Sequence, residues 1–515
     1  MLSGVPTIEA HGGLPAALSV ESLAAIPPAH LEHWLGARRW FGAKRRKILS
    51  ARFTSVALLP LSGSAAAMTV LEVSLEEPAE LQRYQLPLIV LSIESGDAVA
   101  SQHVLAQVVY DDESAVVADA TGDSRFRDCV GELLRTGSVL HASDARWVFE
   151  PAGSGTRESL GTSRVGVAEQ SNTSIVYGDS AILKLFRKLE VGEHPDVEVS
   201  RFLTTRTTFR NTPELFGSIR LESQVGSSVA GMLARYVKGA TDAWTHTLSR
   251  VRAYLSAQTD SPSNPFASEA RELGRVTREL HEALSSVADD PAFAPVPVGD
   301  AQIAAWAAAA RRAAEEGFDL LARRVDTLDT TMRAQAQALL NRRVAASARV
   351  AALARDLAAH DAGLGIRHHG DYHLGQVLRA PDGKWMIIDF EGEPTRPLAA
   401  RRAMHSPLRD VAGMQRSFAY AASSAAMEAG GIGTDARLES RAARWERDAR
   451  AGFLDGYFAL MPAASAKRLL PVSRGAATAL LTLFEVEKVF YELDYELNNR
   501  PSWAWIPLRG IAKLF

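Results

Sequence analysis

The run His369-Gly370-Asp371-Tyr372-His373-Leu374-Gly375-Gln376 is followed shortly by Trp385-Met386-Ile387-Ile388-Asp389-Phe390-Glu391. It sets two aspartates 18 residues apart, one in a glycine-bearing turn and one at the end of an apolar strand. Transfer of a phosphoryl group from ATP to a hydroxyl calls for such a pair. One carboxylate orients the attacking hydroxyl and accepts its proton, and the other holds Mg²⁺ against the nucleotide phosphates. The HxDxxxxN loop and DFG triplet of protein kinases follow the same order, with Gln376 standing here where that pattern has Asn. Either segment alone is a common turn or strand end. Their order, their spacing and the amide five residues after Asp371 point to a small-molecule kinase. Asp371 is then the base, and Gln376 and Asp389 are the metal ligands.

Such a pair needs elements that bring a nucleotide to it. Ser171-Asn172-Thr173-Ser174 opens two short alternating runs about Gly178-Asp179, the pattern of a β-hairpin. A turn rich in Ser, Asn and Thr can offer N–H and hydroxyl donors to phosphate oxygens without a glycine-rich loop. Lys184 lies on the returning strand, where a lysine reaches the α- and β-phosphates. His194-Pro195-Asp196-Val197-Glu198 opens a helix, with the proline near its first turn and acidic residues favourable to its dipole. Glu198 is the expected partner of Lys184. The segment Met232 to Gly239 reads as strand into turn, which suits a hinge holding adenine through the backbone at Tyr236 and Val237.

The rest of the chain supplies the frame. At 515 residues it is too long for one core. Residues 1–110 are read as an amino-terminal subdomain, 111–240 as the lobe carrying hairpin and hinge, and 241–515 as a helical lobe with the catalytic loop. Strands are expected at Arg52–Leu59, Met68–Leu75, Leu86–Ile93 and His103–Tyr110, after a helix over about Val20 to Leu35. The basic run from Arg38 to Lys47 reads as a solvated edge beside two packing aromatics, Trp40 and Phe41. Leu273, Val276, Leu280 and Leu284 repeat at helical spacing, as do Leu340, Val344, Val350, Leu353 and Leu357. The Ala/Arg-rich region 302–361 is expected to be a long, tightly packed helical hairpin, and the chain beyond Glu391 to be helical almost throughout.

Composition excludes several classes. With 47% apolar residues, 23% charged and a net charge of −3, nothing favours nucleic acid or an anionic membrane surface. The single cysteine, Cys129, excludes an internal disulfide and reads as a small buried residue. No signal peptide or membrane-spanning run is apparent, so a cytoplasmic protein is expected.

Taken together, Glu-Gln-Ser-Asn-Thr-Ser at 169–174, His-Pro-Asp-Val-Glu-Val at 194–199, the 369–376 run and Ile-Asp-Phe-Glu-Gly-Glu-Pro at 388–394 resemble the maltokinases of actinobacterial type. So do Ser406 to Met414, Tyr491 to Pro501 and Arg39-Trp40-Phe41-Gly42, so the resemblance covers most of the chain. It implies an α+β, bilobal, eukaryotic-like kinase fold, with an N-terminal antiparallel-sheet cap and a mainly helical C-terminal lobe. It implies ATP-dependent phosphorylation of maltose to maltose 1-phosphate, between trehalose and α-glucan (glycogen) metabolism, with ATP and Mg²⁺ as cofactors. It also assigns Asp371, Gln376, Asp389, Lys184 and Glu198 the roles above, brings Glu391 in beside the metal, and leaves His373 to contact substrate or brace the loop. Some members are fused to a trehalose synthase; a chain of this length is expected to meet that enzyme as a separate protein. Relatives with the same core phosphorylate glucosamine, so an amino sugar is the alternative acceptor.

A sugar site wants polar groups for hydroxyls and an aromatic face for the ring. Tyr491, Tyr495, Glu496, Arg500 and Trp503 concentrate both, with Tyr491 and Tyr495 on one helix face. Arg409 and Asp410 form a second candidate, against which stands the reading of a buried structural ion pair.

Overall fold

A computed structural model of the chain describes residues 4–92, 103–110, 113–153, 160–166, 171–257, 264–358, 362–430, 435–459 and 469–515. Glu169 and Gln170 of the motif lie outside them. The chain forms two compact units, Met1–Thr205 with Pro213–Lys238, and Arg206–Thr212 with Gly239–Phe515.

The first unit holds two sheets. One has eight strands, running in space Thr7–Glu9, Val104–Tyr110, Glu113–Asp119, Leu88–Ser92, Ala65–Leu75, Glu80–Gln85 and Lys188–Leu189, with Ile48–Leu58 also on Ala65–Leu75. All its pairs are antiparallel except Thr7–Glu9 with Val104–Tyr110. The expected strands are present within it. Glu80–Gln85 is an addition: its sequence is mostly polar, and only its alternation, with Tyr84 buried, betrays a strand. The expected helix from Val20 is broken into Val20–Leu23 and Pro28–Gly36, because Pro27-Pro28 remove two amides and hold the chain extended between them. Trp40 and Phe41 are buried against Tyr84, as the aromatic reading of that basic run expects.

The second sheet is antiparallel throughout, in the order Ser163–Val165, Asn172–Tyr177, Ala181–Phe186, Gly226–Arg235, Leu215–Ser223, Ala145–Pro151 and Val139–His141. The expected hairpin is present, with Ser174 opposite Lys184 and Gly178 at positive φ in the turn. The Ser124–Thr136 helix covers this sheet, and Cys129 on it is half-buried. Apolar side chains of both sheets, among them Met68, Ile89, Trp147, Phe149, Leu183 and Leu233, join Phe126 and Val130 in one core.

The second unit is mainly helical. Phe266–Leu284 crosses Ala436–Ala459 at close range, since a Cβ on Gly274 would meet the Phe453 carbonyl at 2.0 Å and one on Gly456 the Arg271 carbonyl at 1.9 Å. Leu273, Val276, Leu280 and Leu284 are all fully buried, as their spacing predicts. The region 302–361 is not one hairpin but three helices among the described residues: Asp300–Arg324, Thr330–Leu340 and Arg343–Ala358. Asp329 caps the second by accepting the Thr331 and Met332 amides. Val344, assigned to the apolar repeat, is 83% exposed because a new helix starts at Arg343 and resets the phase. A Cβ on Gly317 would meet Phe490 at 2.4 Å, so Asp300–Arg324 lies tightly on the Arg474–Asn499 helix. A three-stranded sheet of Thr241–Asp242, Val377–Arg379 and Trp385–Ile387 carries the two motif segments. No helix of the described residues is long and apolar enough to cross a membrane.

Candidate active site

The loop bearing Asp371 is held by its own backbone. Asp410 Oδ2 accepts the His369 amide at 2.8 Å and Oδ1 the Gly370 amide at 3.0 Å. Beneath it His281 Nε2 donates to Asp410 Oδ2 at 3.1 Å, and the Tyr457 hydroxyl lies 2.8 Å from His281 Nδ1. Burial alone would raise the Asp410 carboxyl; the imidazoles of His368 and His281 outweigh it and hold the group well below the usual carboxylate range. Gly370 has φ +85°, and a Cβ there would sit 3.2 Å from the Gly392 Cα, so the turn needs glycine.

His369 ties this loop to the second motif. Its Nε2 donates to the Ile388 carbonyl at 2.9 Å, while the Ile388 amide donates to the Gln376 carbonyl at 3.0 Å. The backbone of 376 therefore runs beside that of 388, and Asp389 follows at once with φ +68°. Aspartate is among the few residues that adopt this left-handed conformation at modest cost. Among the described residues no three His, Cys, Asp or Glu side chains form a metal cage. Asp389 and Gln376 instead offer hard oxygen donors from two adjoining strands of backbone, a set that suits Mg²⁺ shared with phosphates and water. Glu391 lies two residues on, its carbonyl accepting from Arg401.

Asp371 is 24% exposed at its side chain, at the wall of a cavity of 390 Å³. Lys488, on the Arg474–Asn499 helix, puts Nζ 3.5 Å from Asp371 Oδ1 and 3.1 Å from Glu393 Oε1. Burial lowers the Lys488 ammonium, but Asp371 and Glu393 outweigh it and raise the group above its ordinary value. His373 Nε2 lies 3.8 Å from the other oxygen, Asp371 Oδ2, while His373 Nδ1 accepts the Gly375 amide at 3.0 Å. Burial, partly offset by Asp371, lowers the His373 pKa. Deeper charges are paired. Arg409 holds Glu487 through two contacts of 2.8 and 3.1 Å, and Arg396 bridges Glu393 and Glu487.

Only some of the expected sugar residues line this cavity. Tyr491, Arg409 and Asp410 do. Arg409 is engaged with Glu487 rather than with its neighbour Asp410, whose oxygens serve the loop amides. Tyr495 is exposed, and Glu496 takes Arg500 at 2.7 Å and the Tyr420 hydroxyl at 3.0 Å. Trp503 stacks with Tyr420 and under the Arg500 guanidinium. That group knits a helix end together, away from the cavity lining.

In the first unit Lys184 Nζ is 3.2 Å from Asp196 Oδ2, a carboxylate 1% exposed. Glu198, expected in that role, stands two residues further along the same helix. Ser171 is exposed and Asn172 and Ser174 are half-buried, whereas Thr173 is fully buried and its hydroxyl accepts from Arg187 at 2.8 Å. Strand alternation explains the difference, since every second residue of Asn172–Tyr177 faces the core. The Tyr236 amide is given to the Ser180 carbonyl at 2.8 Å, and Val237 is half-buried.

Lys488, Glu393 and the cavity-lining face of Asp300–Arg324 were not among the expected site residues. Lys488 sits in an apolar helical repeat, three residues before Tyr491, and only its burial and its two carboxylates disclose it.

Residues 34–123 match the family described as the maltokinase N-terminal cap domain. A glucosamine kinase of Streptacidiphilus jiangxiensis is 25% identical over 409 residues, 79% of this chain and 84% of that protein. A glucosamine kinase of Mycolicibacterium smegmatis is 28% identical over 349 residues, 67% and 78% of the two. A solved glucosamine kinase in complex with glucosamine, ADP and inorganic phosphate has a TM-score of 0.65 at 20% identity, covering 96% of this chain and 99% of that one. The family resemblance and the kinase-like fold with an N-terminal cap, both expected from the motifs, are borne out.

Proposed function

We propose, for a chain that carries a maltokinase N-terminal cap domain on a eukaryotic-like kinase fold, that it is a sugar kinase transferring the γ-phosphoryl group of ATP to the anomeric hydroxyl of maltose. The observation that carries this reading is Asp371, on a loop braced by Asp410, opening onto a cavity of 390 Å³ whose inner charges are already paired. That volume is in the range of small-ligand sites.

Asp371 accepts a hydrogen bond from the sugar hydroxyl and takes its proton as the phosphoryl group transfers. Lys488 holds the other end of the carboxylate. The anomeric hydroxyl is more acidic than an ordinary alcohol, so positioning and charge neutralisation outweigh base strength. Asp389 and Gln376, with Glu391 near, are the residues that would hold Mg²⁺, which when bound neutralises phosphate charge. Lys184, steadied by Asp196, serves the phosphates together with the 171–174 segment.

Glucosamine is the second reading, since the two relatives described above are named glucosamine kinases. An ammonium group wants an unpaired carboxylate. Beside Asp371, Glu393 and Glu487 are each held by two cations. That pairing favours a neutral acceptor next to the base. Maltose 1-phosphate would stand between trehalose and glycogen-type α-glucan metabolism, with trehalose synthase as a separate protein. Dependence on ATP puts such a reaction in the cytoplasm.

The test is ATP consumption with maltose, glucose, glucosamine and trehalose, with phosphorus NMR of the product, on the native protein and on Asp371→Asn. Turnover of maltose with an anomeric phosphate, lost by orders of magnitude in the variant, is the expected result. Turnover with glucosamine alone overturns the acceptor, and a near-native Asp371→Asn overturns the mechanism.

A further inference from the structure

The basic run from Arg38 to Lys47 is only in part the solvated edge that its composition suggests. Arg39, Lys44, Arg45 and Lys47 are exposed, and Arg46 is taken by Glu80. Arg38 instead folds back onto the Pro28–Gly36 helix. Its guanidinium lies 4.3 Å from the Trp34 ring centre, and its Nε donates to the Trp34 carbonyl at 3.2 Å. Trp34 meets Trp40 edge to face at 6.3 Å, and Arg187 covers the Trp40 ring. Two arginines and two tryptophans thus form one cluster inside the first unit.

Charge in this cluster does not balance. Its carboxylate, Asp119, is already engaged: Oδ1 accepts from Thr121 and Oδ2 from Arg187 Nη2. Arg187 is 1% exposed and gives its Nε to the Thr173 hydroxyl, yet its Nη1 meets no acceptor among the described residues. The buried Trp34 indole N–H meets none either. Burial lowers the Arg38 guanidinium, and Arg187 lowers it further against the pull of Asp119. Buried polar groups are nearly always partnered, so two donors left over in one cluster call for an acceptor from outside the chain. Only donors and positive charge remain, and what satisfies them accepts hydrogen bonds and is anionic. The donors come from separate elements. A tetrahedral oxyanion presents oxygens in several directions, as they require, and guanidinium forks match it.

We infer that Arg38, Arg187 and the Trp34 indole form a binding site in the cap for a phosphate-class anion, either inorganic phosphate or the phosphate group of a small metabolite. Arg38, half-buried, is its outer member and Arg187 its inner one. The site is separate from the phosphoryl-transfer site. Thr173 and Leu185, paired across the hairpin, face the opposite side from Ser174 and Lys184. Because Arg187 holds Thr173, occupancy bears on the hairpin that carries Lys184. None of this depends on which sugar is phosphorylated.

The test is calorimetric titration with inorganic phosphate and with glucose 1-phosphate at fixed ionic strength, with chloride as the control. It uses the full chain carrying Lys184→Ala, which disables the nucleotide-phosphate site, alone and with Arg38→Met, Arg38→Lys or Arg39→Met added. One saturable site should survive Lys184→Ala and be unchanged by Arg39→Met. It should weaken about ten-fold or more with Arg38→Met, as loss of a charge-assisted hydrogen bond implies. Arg38→Lys keeps the charge without the fork and should bind with intermediate affinity. The melting temperature should rise with the anion wherever it binds, and the same curves verify that each variant folds. Tighter binding of glucose 1-phosphate makes the ligand a phosphorylated sugar, tighter binding of phosphate makes it the free ion, and either upholds the site. No binding in Lys184→Ala, or equal binding when Arg38→Met is added, overturns it. So does a crystal grown in phosphate that holds only water at Arg187 Nη1.

Discussion

Lys488 reaches Asp371 from a helix more than a hundred residues further along the chain, with Nζ 3.5 Å from Asp371 Oδ1. The contact leaves the opposite oxygen, Oδ2, on the side of His373. A base fixed at one oxygen presents the other in a constant direction, and preorganisation of this kind acts on kcat. Lys488→Met should therefore lower kcat about ten-fold or more, with the KM for ATP little changed, and Lys488→Arg should recover part of the loss. Steady-state kinetics with both substrates varied checks it. A loss confined to KM would mean that Lys488 binds the sugar rather than positioning the base.

Asp410 holds two successive amides of the catalytic loop and is almost wholly buried. Asp410→Asn keeps the shape but can accept on one side only, so one amide loses its partner. The expected cost is about 2–3 kcal/mol in urea unfolding, from an unsatisfied buried donor and the lost charge-assisted bonds. Turnover should fall as well, because the loop places Asp371. Unchanged stability with lost activity would instead assign Asp410 to the chemistry.

The contrast between Asp410 and Lys488 shows what the sequence could disclose. Local patterns were legible: the hairpin about Gly178, the helix at Pro195 and the turn that carries Asp371 each arise from residues a few positions apart. Pairings made across the fold were not. Arg409 stands next to Asp410, yet one helical residue turns to Glu487 and the other to the His369 amide. Lys184 meets the buried Asp196, a partner that no local pattern announced. The cavity face of Asp300–Arg324 was hidden by its alanines, which read as packing residues on either side.

Glu393 makes acid sensitivity predictable. Burial would raise its carboxyl, but Lys488 and Arg396 outweigh burial and bring it down to about 2 from an ordinary 4.5. A depressed carboxyl stabilises the fold above its unfolded value and loses that contribution as the pH falls toward the folded one. The contribution, at most roughly 3 kcal/mol, is thus present at pH 6 and fades between about 4.5 and 2. Glu393→Gln should lie below the native protein in urea unfolding at pH 6, and the gap should narrow at pH 3. A gap that stays constant across this range would rule out the ion pair as its source.

Arg187 joins the cap to the hairpin that carries Lys184, and both lie within the first unit. It directly follows the Ala181–Phe186 strand and is 1% exposed. Its Nη2 is 2.9 Å from Asp119 Oδ2, its Nε is 2.8 Å from the Thr173 hydroxyl, and its guanidinium lies 5.1 Å from the Trp40 ring centre. Asp119 and Trp40 belong to the segment that matches the cap family, whereas Thr173 belongs to the hairpin. Arg187→Met removes the cation and leaves the Asp119 carboxylate buried, with the Thr121 amide and hydroxyl as its hydrogen-bond donors among the described residues. Stranding one partner of a buried pair costs about 3–5 kcal/mol. Adding Asp119→Asn removes the stranded charge, so the double variant should regain part of that loss, a coupling that a double-mutant cycle measures directly. Lysine is a poor substitute, since one ammonium cannot serve Asp119 and Thr173 in the same plane. Because the same residue braces the strand of Lys184, the KM for ATP should rise in Arg187→Met while the kcat at saturating ATP changes less. Additive single-variant losses, with the KM for ATP untouched, would reduce Arg187 to a local packing residue and leave the cap without a path to the nucleotide hairpin.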